Sequence, residues 1–271
     1  MKKILGCSLL FISQLVLAQT PNTALSKSID NTMMKSFAPT GTLRVGINLG
    51  NPVLAGSIDQ SAPQPKGVTI DIAQEIGRRS GMPVELVSYK SAGAIVEALK
   101  AKQLDLIFVA IDPVRGADIN YTPAYIQIEG AYMVKSSSPI QSNEEVDAAG
   151  NEIVVGNASA YDLYLKREIK KATLLRSINS QSVVDDFMSG KGNVAAGVKQ
   201  QLEADSKRYN NVRMLPGRFM VIDQAMGVPK SRTDFEKITL YLSELVAELK
   251  TSGFIANSMK KHGIEGAKVA E

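Results

Sequence analysis

From Leu43 onward, apolar and polar positions along the chain switch between two periods. Leu43, Val45 and Ile47 alternate in GTLRVGIN, which predicts a strand, and Gly46 and Gly50 suit close backbone approach at its end. In GVTIDIAQEIGRRSG the spacing lengthens. Ile70, Ala73, Ile76 and Gly77 share one helical face, and Gly81 stops the helix before MPVELVSY, a second strand. SAGAIVEALKAKQ predicts another helix and LDLIFVAI a third strand, apolar throughout and therefore buried.

The alternation repeats after a break. AYMVKSSSPI reads as a strand entering a Ser/Pro loop, and EIVVGNASAYDLYLKREIKK as strand, turn and helix. ATLLRSI is a strand and SQSVVDDFMSGK a helix. GNVAAGVKQQLEADSKRY is a strand followed by a helix, and VRMLPG is a short strand. FMVIDQAMGVPKS is extended, and DFEKITLYLSELVAELKTSGFIANSMKKHG is helical to the end. Strands alternating with helices of this length imply βαβ units and largely parallel sheets, arranged as two α/β halves, each the size of one domain.

Composition changes the picture first at the N-terminus. Lys2 and Lys3, the apolar run Ile4–Leu17 and the small-residue site at Ala18 form the pattern of a secretory signal peptide over residues 1–18. Cys7 precedes the apolar stretch where a lipoprotein signal places its cysteine after it, so lipidation is not expected. Cleavage removes that sole cysteine, and a chain of this length builds its core without disulfides. Residues 19–40 read as a polar leader with a short helix around Ile29–Phe37. The formal charge of +4 falls when Lys2 and Lys3 leave, and the remaining 29 basic against 27 acidic residues, with no Trp, argue against nucleic acid. No later run reaches membrane-spanning length, so the expected product is exported and not membrane-inserted, and a monomer is expected.

The chemistry-bearing residues are few. The one histidine, His262, sits at a helix C-terminus where cationic side chains are ordinary. Neither a Cys/His cluster nor a Gly-rich phosphate cradle is present, so no metal, cofactor or catalytic residue is expected. Two features stand out. Arg115 follows a strand at its carboxyl end, where open α/β sheets place ligands, and a guanidinium matches a carboxylate bidentately. Equally, it could pair with Asp112 or Asp118 on the surface. In VVGNASAYDLYL, Ser159 is a natural N-cap with Asp162 three residues on. The same helix start, with Ala160, offers backbone N–H groups to an anion.

Taken in order, TLRVGIN…GVTIDIAQEIGRRSGMPVELV, ALKAKQLDLIFVAIDPVRGADINYTPAY, IVVGNASAYDLYL and GVPKS…ELKTSGFIANSMKKHG resemble solute-binding proteins of family 3, the periplasmic amino-acid receptors of ABC importers. The resemblance spans roughly residues 41–264. It implies a type II periplasmic-binding-protein fold of class α/β, with lobe 1 at 41–127 plus 226–264 and lobe 2 at 135–220. Crossover strands at 128–134 and 221–225 would join them. It also implies that Arg115 clamps a ligand carboxylate from one lobe while Ser159 and Ala160 bind it from the other, and that closure is read by an importer permease.

Departures from the family pattern concern the ligand. Asn48 and Asn51 stand where an aromatic commonly stacks, Val109 and Ala110 where small hydroxyls are usual. Val198, Lys199 and Gln200 stand where an acid commonly receives the α-amino group. Glu129 or Asp223 in the crossovers could replace that acid, or the ligand could be another small anion or polar solute. Tyr121, Tyr125 and Tyr161 are candidates to line the cleft. The expected function is capture of a small, carboxylate-bearing solute for an ABC importer. The alternative is a dehydratase of cyclohexadienyl-dehydratase type with Glu129 as acid. A sensory input domain ranks below both, since the chain ends at Glu271 without a membrane helix.

Overall fold

Two strands of ten residues each, Ile126–Lys135 and Met220–Pro229, hold the architecture together. The computed structural model describes residues 29–56 and 65–271, so the signal peptide and the first part of the leader lie outside the described residues. The chain runs α1 (Asn31–Phe37), β1 (Leu43–Asn48), α2 (Val68–Ser80), β2 (Val84–Tyr89), α3 (Ala92–Lys100), β3 (Leu106–Ala110), β4 (Ile119–Tyr121) and β5 (Ile126–Lys135). It continues through β6 (Glu152–Gly156), α4 (Ala160–Glu168), β7 (Thr173–Ser177), α5 (Val183–Met188), β8 (Val194–Val198), α6 (Lys199–Ser206) and β9 (Val212–Met214). The last elements are β10 (Met220–Pro229), α7 (Phe235–Thr251), α8 (Phe254–Lys261) and β11 (Lys268–Val269).

The main strand order is β2-β1-β3-β10-β5-β8-β6-β7. β1 lies parallel between β2 and β3, and β6 parallel between β7 and β8. The βαβ pattern produces this, because a helix between two strands returns the chain in the same direction. The two parallel groups meet where β10 and β5 pair antiparallel, Met220 opposite Gly130 through Gln224 opposite Ile126. β10 then runs on beside β3 and β5 runs on beside β8, so each long strand belongs to both lobes. β3, with all five residues buried, carries Leu106, Phe108 and Ala110 on one face and Ile107 and Val109 on the other. Among the described residues, no helix is long and apolar enough to cross a membrane.

Three features depart from the expected elements. Residues 30–40 are part of the body: Asp30 caps α1, Phe37 is fully buried and the Arg232 guanidinium donates to the Ser36 carbonyl. The terminal helical run breaks after Thr251, where Gly253 adopts φ 75°, a left-handed conformation that ends one helix and starts the next at a new angle. Beyond residue 264 the tail returns as β11 and pairs with β5 at Ile126 and Gln127, next to the β5–β10 junction.

A buried ion cluster ties the first lobe. Asp105 is fully buried and accepts from the Arg44 and Arg232 guanidiniums at 2.8 and 2.7 Å, joining β1, the start of β3 and the loop after β10. Burial opposes the charge on Asp105, but the bonds from Arg44 and Arg232 outweigh it and hold the carboxyl below its usual range. Removing one partner leaves two arginines uncompensated, so Asp105→Asn lowers unfolding free energy by about 3–5 kcal/mol at neutral pH. A depressed folded pKa means this stabilisation is complete above the unfolded value of about 3.9 and is lost as pH falls through the folded one. Urea unfolding of both proteins from pH 7 to pH 3 checks this: the gap between them should narrow only at the acid end.

Candidate functional site

The carboxyl ends of the parallel strands of both lobes point at one cavity, as the strand order requires. Asn48 ends β1, Ser91 follows β2 and Ala110 ends β3, while Asn157 follows β6, Ser180 follows β7 and Val198 ends β8. All six line the cavity, together with Arg115, Asn51 and the start of α4. Ile222 and Gln224 of β10 form the hinge wall. The cavity measures about 40 Å³, room for about three or four waters.

Arg115 is the only charged side chain among the described lining residues, and it is 5% exposed. Its Nη1 donates to the Ala110 carbonyl at 3.3 Å and its Nη2 to the Ala158 carbonyl at 2.8 Å, one from each lobe. It does not pair with Asp112 or Asp118. Asp112 Oδ1 accepts the backbone N–H groups of Val114 and Arg115, Asp112 Oδ2 pairs with Arg167 at 2.9 Å, and Asp118 pairs with Lys100. Burial pulls the Arg115 pKa down from its ordinary value, and pushes that of the neighbouring Tyr121 phenol up to about 12, so Tyr121 offers no counter-charge.

On the other wall, Ser159 caps α4 by accepting the Asp162 N–H at 3.0 Å. Asp162 reaches back to the Ala158 N–H at 2.9 Å rather than to the cap residue itself, and its carboxylate also pairs with Arg176. These bonds hold Ala158 at φ 54°, an uncommon conformation for a residue with a Cβ. The Ala158 carbonyl is the one that receives Arg115. With Ser159 Oγ engaged on Asp162, the N–H groups of Ala160 and Tyr161 remain as the orphan donors of the helix start.

Of the residues singled out from sequence, the structure gathers Asn48, Asn51, Ala110, Arg115, Ser159 and Ala160 at the cavity. Glu129, Asp223 and Gln200 are not among its lining residues. Glu129 is held by Lys199 and Arg218. Asp223 accepts from the Gln127 amide at 2.8 Å, because side chains alternate along β10 and its neighbours Ile222 and Gln224 take the cavity face. Gln200 lies against Gly266 of the tail. Among the three tyrosines only Tyr161 reaches the cavity, and Tyr125 packs edge-on against Phe108 in the core. Ser91, Asn157, Ser180 and Gln224 were not singled out, although the first three each follow a predicted strand directly. Among the described residues, no group of three or more His, Cys, Asp or Glu could hold a metal.

The lobes touch across the cavity. Besides Arg115–Ala158 and Asp112–Arg167, the Gln181 amide donates to the Leu49 carbonyl at 3.0 Å. A fold of two βα lobes on a two-strand hinge, with a buried cavity and closing contacts between them, defines a hinged ligand-binding protein. The family model for bacterial extracellular solute-binding proteins, family 3, matches residues 43–265, and the chain belongs to that family. Among solved structures, a mutant of ArgBP from T. maritima superposes with a TM-score of 0.72 at 17% identity, covering 86% of this chain and 99% of that one. The cysteine-binding protein from Campylobacter jejuni gives 0.71 at 18%, covering 84% and 92%. The ancestral amino-acid-binding protein AncCDT-1, a precursor of cyclohexadienyl dehydratase, gives 0.70 at 19%, covering 84% and 98%. The fold is thus of the type II periplasmic-binding-protein kind. Among curated proteins no match was found.

Closure depends on a small residue at the seam. A Cβ on Gly93, in the first turn of α3, would lie 2.7 Å from the Ala158 Cβ of the opposite lobe. Gly93→Val therefore wedges the seam without touching either lobe core. Small-angle scattering should show a larger radius of gyration than for the parent protein, with the melting temperature of the ligand-free protein little changed. An unchanged radius would mean that the seam yields.

Proposed function

We propose that this protein is a periplasmic receptor that captures a small carboxylate-bearing solute by hinge closure and delivers it to the permease of an ABC importer. The observation that carries this reading is Arg115. A guanidinium buried beside a cavity, hydrogen-bonded to two peptide carbonyls and in no ion pair, calls for an anion. A ligand carboxylate supplies it and is met from the far wall by the helix-start N–H groups at Ala160 and Tyr161. Family membership supports solute capture. The similar structures of ArgBP from T. maritima and the cysteine-binding protein from Campylobacter jejuni support a solute of that size and polarity. The signal-peptide pattern supports action outside the inner membrane, and a monomer suffices, since both walls of the cavity come from one chain.

A dehydratase needs a carboxylic acid that can protonate a leaving group. Glu129, the residue first considered for that role, is not among the lining residues. The hydrogen bond from Arg218, joined by Lys199, holds its carboxyl below the usual range, so it stays ionised at neutral pH. Binding without turnover is therefore the better reading of this site.

The test is a thermal-shift screen of small carboxylates, followed by titration calorimetry on the parent protein and Arg115→Ala. Loss of a desolvated charge-assisted pair should weaken binding by about 2–5 kcal/mol. The ligand should be recovered chemically unchanged. Equal affinity in the variant, or consumption of the ligand, would sink the receptor reading.

A further inference from the structure

We infer that the solute is a small hydroxycarboxylate without an ammonium group. This rests on the receptor reading above and deepens it.

Charge balance is the first ground. Arg115 brings one buried positive charge to a cavity with no acidic lining residue among those described, and a monoanion neutralises it. An α-amino acid is a zwitterion and would leave the closed cavity with a net positive charge. Its ammonium would also sit a few ångströms from the guanidinium, facing the N-termini of α3 and α4, whose Ser91 and Ser159 ends line the same cavity. Three positive ends converge there, and no lining residue among those described is acidic.

The surrounding acids are occupied. Asp112 is bound to Arg167, Asp162 to Arg176 and the Ala158 N–H, Glu129 to Lys199 and Arg218, and Asp223 to Gln127. Moving any of them to an ammonium would break a bond already made and strand another charge. Leaving a desolvated ammonium without an anion costs several kcal/mol.

The second ground is Asn51. It is 8% exposed, lines the cavity, and its Oδ1 has no hydrogen-bond partner. A buried acceptor of this kind calls for a donor on the ligand. Asn48 does not fill that role, because its Oδ1 already accepts the Gly50 N–H at 3.0 Å. A neutral hydroxyl provides one proton and no charge, which satisfies Asn51 without disturbing the balance set by Arg115.

Titration calorimetry on the full mature chain with matched pairs tests this: glycolate against glycine, each enantiomer of lactate against the matching alanine, and propionate as the analogue lacking the hydroxyl. The hydroxy acid of a pair should bind about a hundredfold or more tighter than its amino counterpart, the scale of a buried charge left unpaired. It should also bind more tightly than propionate. In Asn51→Leu the preference for lactate over propionate should collapse while propionate binding persists. An amino acid that binds as tightly as its hydroxy partner overturns the inference and leaves the receptor reading intact. A lactate preference that survives Asn51→Leu overturns the hydroxyl assignment. If neither member of any pair binds, the inference falls, while the receptor reading stands or falls on the wider carboxylate screen and the Arg115→Ala comparison.

Discussion

A guanidinium buried between two lobes, with a carbonyl from each as its only fixed partners, is the constraint around which this molecule is arranged. Inside a protein, a charge interacts with its surroundings far more strongly than in water, and lacking compensation it is costly. The chain accepts that cost at Arg115 and arranges the neighbours accordingly. Asp112, close enough to neutralise it, is turned instead to the backbone of the Arg115 loop and to Arg167 across the seam. Ala158 is held in an uncommon backbone conformation by Asp162, and its carbonyl meets the cation. Arg115 is positioned from both sides and ion-paired from neither, with Asp112 acting on its charge only at a distance.

The hinge follows a different logic, in which every charge is spent. Glu129 on β5 is bound by Lys199 at the start of α6 and by Arg218 just before β10, so it fastens the hinge strand to the second lobe. Asp223 and Gln127 bridge β10 and β5 at their pairing, and β11 adds a third strand there through Gln127 and Ile126. These contacts stiffen the segment about which the lobes would turn. The same residue types thus serve opposite ends: paired, they make a rigid pivot, and in Arg115, unpaired, they make a demand for ligand.

Much of this was legible in the sequence, and the remainder has physical reasons for being hidden. The βαβ alternation showed because the period of apolar positions changes sharply between VELVSY and AIVEALK. Arg115 and the Ser159 cap showed because each stands at the end of a strong strand pattern. Ser91, Asn157 and Ser180 occupy equivalent places but are common turn and cap residues, and only the strand order reveals that their loops converge. Glu129 and Asp223, candidates for meeting the ligand, lie on β5 and β10 but do not line the cavity. Their side chains are settled by the parity of a strand whose register the sequence does not display: Ile222 and Gln224 face the cavity and Asp223 does not. β11 went unseen because two residues of ordinary composition gain strand character only from the β5 edge they meet.

Under the proposed function, closure and selectivity reduce to one electrostatic condition. Each water that leaves the cavity removes screening from Arg115 and from the two helix ends that face it. A neutral or zwitterionic occupant leaves the net charge uncancelled as the dielectric falls, so the closed form becomes less favourable as it tightens. An anionic occupant does the reverse, since its attraction to the guanidinium grows as water is lost. Affinity measured in the open form would then discriminate poorly between such ligands, and discrimination would reside in the closing step. A receptor built this way reads ligand charge through a conformational equilibrium, and the neutral wall left by Val198, Asn51 and Ala110 is as much part of that reading as the arginine.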